Sequence, residues 1–186
     1  METAAALKSG TTLENLQAAF NGESNAGAKY LAFAVKADEE GYGPVASLFR
    51  AAARAEAIHA ANHAEVIRKL GGTPEAVIET AAVNTTAENL KDAIAGETYE
   101  RDVMYPVFLA QARAEKSAAV KTFHYALKAE AEHARLYTEA LADLENRRGA
   151  GITYYVCAVC GYTSATAEED RCPICATPKE KYETVS

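Results

Sequence analysis

The chain has 186 residues, 26 of them acidic and 19 basic, for a formal charge of −7. That length allows one substantial core, or a core plus a small satellite. The acidic balance argues against nucleic acid or an anionic membrane as partner, since both favour basic surfaces. No apolar run approaches a membrane span. Met1–Gly10 lacks a basic patch followed by an apolar run, so no secretory signal is expected.

Residues 11–148 are rich in Ala, Glu, Leu and Lys, which favours helix. A capping box, Thr11-x-x-Glu14, starts the first helix. The stretch EEGYGP at Glu39–Pro44 ends it and starts the second, and LGGTP at Leu70–Pro74 ends the second. A second capping box, Thr85-x-x-Glu88, opens a third helix from about Thr86 to Glu115. A fourth is predicted from about Ser117 to Arg148, stopping at Gly149.

The halves repeat. TTLENL at Thr11–Leu16 recurs as TTAENL at Thr85–Leu90, 74 residues later. The same offset carries Glu23 onto Glu97, Phe49 onto Phe123, Glu56 onto Glu130 and His59 onto His133. Two helical hairpins related by a pseudo-twofold axis explain this. Their connection, Gly71–Asn84, is 14 residues, a reach of roughly 45–50 Å when extended. A 27-residue helix is about 40 Å long, so the connection can run the length of the bundle. A four-helix bundle with one long crossover is the ferritin-like arrangement.

The apolar seam of each helix carries carboxylates near its middle. They are Glu23 in the first helix, Glu56 with His59 in the second, Glu97 and Glu100 in the third, and Glu130 with His133 in the fourth. Clustered buried carboxylates repel and are costly to desolvate. No lysine or arginine lies on these seams; Arg54 and Arg101 fall beside them. Bound cations supply the counter-charge, and carboxylate oxygens with imidazole nitrogens suit iron or manganese, with zinc possible. Residues three apart share a helix face, so each Glu-x-x-His presents an oxygen and a nitrogen to one site. One Glu from each of two helices plus Glu-x-x-His from the other two is the pattern of di-iron carboxylate bundles. Glu100 has no counterpart in the first half, where Ala26 stands, and reads as an extra ligand. His63, one turn beyond His59, is expected behind a ligand or in the core, and His124 falls off the seam with no role.

The tail holds Cys157, Cys160, Cys172 and Cys175 as two Cys-x-x-Cys turns separated by eleven residues. That spacing predicts a tetrahedral four-thiolate metal site, of zinc if structural or iron if an electron carrier. A tail of this size buries little core, so metal would supply folding energy. Free thiolates point to a reducing, cytoplasmic compartment.

These residues resemble the rubrerythrin family along nearly the whole chain and in family order. The matching motifs are GES with Glu23, EAIH with Glu56 and His59, GETYE with Glu97 and Glu100, EAEH with Glu130 and His133, and the four cysteines. Tyr30, and Tyr105 within Met104–Pro106, match the family's tyrosines beside the iron site. The resemblance implies a mainly α fold: a ferritin-like di-iron four-helix bundle over 1–148 and a rubredoxin-like β module over 152–186. It implies a peroxide reductase that turns hydrogen peroxide into water. Glu56 and Glu130 would bridge two irons, with Glu23, Glu97 and His133 as terminal ligands. Glu100 and His59 would alternate on one iron, and Tyr30 and Tyr105 would hydrogen-bond ligand carboxylates. The four cysteines would hold one iron, or zinc after recombinant expression.

No nucleotide-binding glycine loop is present, so electrons from NADH or NADPH would need a separate reductase. The alternative is an iron-oxidising or iron-storing protein, against which the tetrathiolate tail argues; a third is a zinc-bearing scaffold without catalysis. Glu130 to Asn146 spans 16 helical residues, roughly 24 Å, and the linker Asn146–Gly151 is short. That arithmetic predicts a tail that starts far from its own di-iron site, and hence a homodimer in which each tail docks on its partner's bundle.

Overall fold

The computed structural model describes residues 9–186 apart from Glu169. Residues 1–8, part of the start read above for a secretory signal, lie outside the described residues. Helix α1 (Thr12–Glu39) begins at the expected capping box, where the Thr11 hydroxyl accepts from the Glu14 N–H and the Glu14 carboxylate accepts from the Thr11 N–H. Gly41, at φ +81°, makes the turn into α2 (Gly43–Lys69), which has Pro44 in its first turn. Helix α3 (Thr86–Tyr99) repeats the capping box at Thr85 and Glu88. After a π-helical turn at Glu100–Met104 come α4 (Tyr105–Ala114) and α5 (Ala119–Ala142). Helices α1 and α2 form one hairpin, and α3–α4 pack on α5 as the other. Among the described residues no helix is long and apolar enough to cross a membrane.

The crossover runs extended along α1, held by three carboxamides. Asn21 accepts from the Val77 N–H and Asn25 from the Glu79 N–H at 2.9 and 2.8 Å, while Gln17 bonds the backbone of Glu75. The spacing works because four helical residues rise about 6.0 Å, close to the roughly 6.6 Å of two extended residues.

The third helix is not continuous, as expected from Thr86 to Glu115, because the π turn adds one residue. Its effect on register is direct. Glu97 stands 74 residues after Glu23, but Tyr105 stands 75 after Tyr30. The turn absorbs the odd residue and returns Tyr105 to the seam, and Glu100, the carboxylate without a symmetry mate, sits in it. Such turns occur mostly at functional sites.

The fourth helix stops at Ala142, six residues before Arg148. The chain leaves the helix axis there, through a short 3-10 turn at Leu144–Asn146. This lets Arg148 stack 4.2 Å over the Tyr42 ring and donate to the Glu40 carbonyl at the α1–α2 corner. The tail then forms a sheet of β1 (Tyr154–Cys157), β2 (Thr163–Ser164) and β3 (Tyr182–Val185), all antiparallel in the order β2–β1–β3.

The tail starts near the beginning of α2, about 18 Å of helix from His59, but does not stay there. The linker packs on the start of α2, with Ile152 N–H donating to Ser47 Oγ, and the chain then runs back along that helix. Arg54 binds Glu183 at 2.5 and 2.8 Å, and Asn62 donates to the Val159 carbonyl at 2.9 Å. From Ser47 to Asn62 is about 22 Å of helix, which recovers the distance the fourth helix had travelled away. The distance argument for a tail exchanged between subunits therefore falls.

Candidate metal centre

Two aromatic clusters bracket the middle of the bundle. Tyr30, Phe33, Phe49 and Tyr137 pack at one end, and Tyr105, Phe108 and Phe123 at the other. Between them Glu23, Glu56, Glu97, Glu130 and His133 are 0% exposed and His59 is 1% exposed. They form two overlapping sets, Glu23–Glu56–His59–Glu130 and Glu56–Glu97–Glu130–His133, each with ligand atoms within 4.8 Å of one another. Glu56 and Glu130 belong to both. One terminal carboxylate and one histidine remain on each side, the arrangement expected for a pair of cations with two shared carboxylates.

The donor set fits cations on structural grounds. Glu23 Oε2, Glu56 Oε1, Glu97 Oε2, both Glu130 oxygens and His133 Nδ1 are buried without a hydrogen-bond partner. Orphaned buried polar atoms are costly, and here all of them converge on one volume. The histidines agree. His59 Nε2 lies 3.0 Å from the Cys160 carbonyl, which can only accept, so that nitrogen carries the proton. Its Nδ1 then faces Glu130, Glu56 and Glu23 at 2.9, 3.0 and 3.6 Å. His133 Nε2 bonds Thr163 Oγ1 at 3.1 Å, and that hydroxyl gives its own proton to the Gly161 carbonyl. His133 Nδ1 faces Glu130 at 2.8 Å and Glu56 and Glu97 at 3.6 Å. Each Nδ1 must hold a proton or a cation to stand among carboxylates.

Charge follows the same logic. Burial alone would lower both histidine pKa values, but the carboxylates, Glu130 foremost for His59 and Glu97 for His133, push them well above the usual imidazole range. Burial, then repulsion from Glu56 and Glu130, drives the Glu97 carboxyl well up. Arg54 and Arg101 contribute nothing here, being paired with Glu183 and Asp102 at the surface.

Each tyrosine reaches across the pseudo-twofold axis. Tyr30 donates to Glu97 at 2.7 Å, and Tyr105 donates to Glu23. Glu100 stands outside both ligand sets. It lines a cavity of about 450 Å³ with Gly22, Lys29, Tyr30 and Gly96, between α1, α3 and the crossover. Burial and the carboxylate of Glu23 push its pKa well up. His59, not Glu100, thus completes the first set in this structure. His63 is no ligand: it lies behind Tyr105 with both ring nitrogens in hydrogen bonds, and burial lowers its pKa to about 3.

The four cysteines are free thiols with sulfurs within 4.8 Å of one another. Cys157 faces Cys175 at 3.6 Å and Cys160 faces Cys172 at 3.4 Å, far beyond a disulfide bond. The neighbouring Cys157 and Cys160 thiols hold the Cys172 pKa well down.

Gly161 directly follows the first Cys-x-x-Cys turn, and Thr163 carried no signal in the sequence. At φ +77°, a Cβ on residue 161 would stand 2.3 Å from His59 Nε2. Gly161→Ala is therefore expected to destabilise tail docking by at least about 1–3 kcal/mol. Faster amide exchange at β1 and β2, with α1 and α2 unchanged, is the measurement that checks it.

A ferritin-like bundle with two overlapping carboxylate–histidine sets, carrying a four-cysteine module against it, defines a di-iron carboxylate protein with a rubredoxin-like domain. The family model described as Rubrerythrin matches residues 14–141, and the one described as Rubrerythrin, rubredoxin-like domain matches 155–183. Rubrerythrin-2 of Clostridium acetobutylicum is 37% identical over 181 residues, covering 95% of this chain and 98% of its own. Nigerythrin of Nitratidesulfovibrio vulgaris is 38% identical over 175 residues, covering 93% and 86%. A structure of fully reduced, all-ferrous nigerythrin superposes with a TM-score of 0.89 at 35% identity, over 99% of this chain and 91% of that one. The chain belongs to the rubrerythrin family, whose members are oxidoreductases with a di-iron site.

Proposed function

We propose that this protein reduces hydrogen peroxide to water at the di-iron site, with electrons entering through the tetrathiolate tail. One observation carries the reading: the tail is hydrogen-bonded directly onto a candidate ligand, Cys160 C=O to His59 Nε2 at 3.0 Å. An iron-storage protein needs no thiolate module on its oxidation site. In this reading Glu56 and Glu130, common to both sets, would be shared by two irons, Glu23, Glu97, His59 and His133 would each serve one iron, and the four cysteines would hold a further iron. When bound, two ferrous ions supply the two electrons that O–O cleavage takes.

The chain's own residues do the rest. Glu100, in the cavity beside the site and with a raised pKa, holds a proton where peroxide enters. Tyr30 and Tyr105 fix the orientations of Glu97 and Glu23. The buried seams exclude water from the reacting centre. Bundle (1–148) and tail (152–186) work as acceptor and donor. A separate reductase refills the tail, because the chain carries no nucleotide loop. A cytoplasmic location is proposed, because free thiols suit a reducing compartment. A homodimer is proposed from family likeness and is checked by analytical ultracentrifugation.

Reduced, iron-loaded protein mixed rapidly with peroxide or with oxygen tests the reading. Oxidation at least ten-fold faster by peroxide (on the order of 1.4 kcal/mol in barrier) is expected; faster oxidation by oxygen favours iron oxidation instead. Glu100→Ala is expected to keep its helicity and lose roughly 100-fold or more in peroxide turnover. Unchanged turnover removes Glu100 from the mechanism. A colourless tail as purified signals zinc rather than iron.

A further inference from the structure

The pseudo-twofold axis is broken behind the tyrosines. On the Glu97 side, Tyr30 packs against Tyr137, whose hydroxyl is buried without a hydrogen-bond partner among the described residues. The residue 74 positions before Tyr137 is His63, and there the hydrogen bonds continue. His63 Nε2 lies 3.0 Å from Tyr105 Oη, and Thr122 Oγ1 lies 2.9 Å from His63 Nδ1. Thr122 is 6% exposed and lines a surface cavity of about 370 Å³ with Asn62, Glu65, Lys69, Lys121 and Tyr125.

The direction of this chain follows from its inner end. The Glu23 carboxylate accepts, so the single Tyr105 hydroxyl proton is committed to it. Tyr105 Oη must then accept from His63 Nε2–H. A neutral imidazole protonated on Nε2 has a bare Nδ1, so Thr122 must donate to it. Every donor points inward, from the cavity to Glu23.

We propose that Thr122, His63 and Tyr105 form a one-sided proton path from this cavity to Glu23. The proposal rests on the peroxide-reduction reading. Each peroxide reduced takes two electrons, from the reductase by way of the tail, and two protons; the O–O bond breaks and both oxygens leave as water. One proton is assigned to this path and the other to Glu100 on the opposite cavity. Along the path the Thr122 proton passes to His63 Nδ1, the Nε2 proton to Tyr105, and the Tyr105 proton to Glu23, which gives up a proton to an oxygen that leaves as water. Water in the cavity reprotonates Thr122, and the starting tautomer is restored when solvent takes the proton from His63 Nδ1 and returns one to Nε2. His63 and Thr122 touch neither substrate nor metal ligand by hydrogen bond and are positioning residues acting through Tyr105.

Two isosteric or near-isosteric variants, Thr122→Val and His63→Leu, test the path, with two independent readouts. In full-length protein loaded with zinc, nitrogen-detected NMR should find His63 neutral with its proton on Nε2. Thr122→Val should slow exchange of that proton with solvent about ten-fold or more. In iron-loaded protein with unchanged metal content, both variants should slow single-turnover oxidation by peroxide roughly ten-fold and alter its solvent deuterium isotope effect. A proton on Nδ1 overturns the proposal, as does turnover unchanged in Thr122→Val, whatever the exchange rate. If wild-type protein fails to reduce peroxide while Thr122→Val still slows exchange, the peroxidase reading fails and the path stands as a proton route to Glu23.

Discussion

Replacing Glu130 with Gln is expected to abolish binding of both metals to the bundle, not one. Glu130 belongs to both four-residue sets, whereas Glu23 belongs to one. Glu23→Gln should therefore lose one metal and leave the Glu56–Glu97–Glu130–His133 set occupied. Residues that merely support a ligand typically cost about 10–100-fold in metal affinity, and a ligand shared by two ions should exceed that range. Peroxide turnover should fall to background in Glu130→Gln, while the tail keeps its own metal because its four thiols are untouched. Iron analysis and the tail's visible spectrum read both outcomes. A Glu130→Gln protein that retains two bundle irons would falsify the shared-carboxylate arrangement.

Metal removal should make stability fall as pH rises above neutrality. His59 and His133 have folded-state pKa values raised well above 6.5, because the surrounding carboxylates outweigh burial. A group that holds its proton more tightly when folded contributes stability that is complete below its unfolded pKa and is lost as pH rises toward the folded one. Glu97 and Glu100, also raised, act in the same direction. His63, lowered to about 3, opposes them only below 6.5. Above pH 6.5 the apoprotein should therefore lose up to about 1.4 kcal/mol per pH unit for each histidine. Metal ions displace these protons, so the loaded protein should gain affinity with pH and hold its Tm. Thermal melts from pH 6.5 to 8.5, with and without metal, check this. An apoprotein whose Tm rises over that range contradicts the charge assignment.

Much of the site was legible because its signals are local. Capping boxes, heptad seams and Glu-x-x-His each depend on residues within a turn or two. One offset repeated across both halves turned four weak motifs into one arrangement. The same logic underlies Cys-x-x-Cys, where two short turns fix four sulfurs whatever the rest of the chain does. His63 was visible as a seam residue, but its hydrogen bonds to Tyr105 on α4 and Thr122 on α5 join separate elements. No single-chain periodicity carries that information. The π turn was equally hidden: Glu100–Met104 has ordinary helix formers, and only the shift from a 74- to a 75-residue offset betrays it.

The sequence by itself determined the helices, their polar seams, the identity of the candidate ligands and the thiolate spacing, because hydrophobic periodicity and capping act over a few residues. Tertiary structure alone decided where the tail goes. Six helical residues were given up beyond Ala142, and the chain folded back along α2 until Gly161, lacking a Cβ, could meet His59. That choice depends on contacts between residues some hundred positions apart, whose free energy arises only once both surfaces exist. It turned a distant tail into one that holds the outer nitrogens of both candidate histidine ligands.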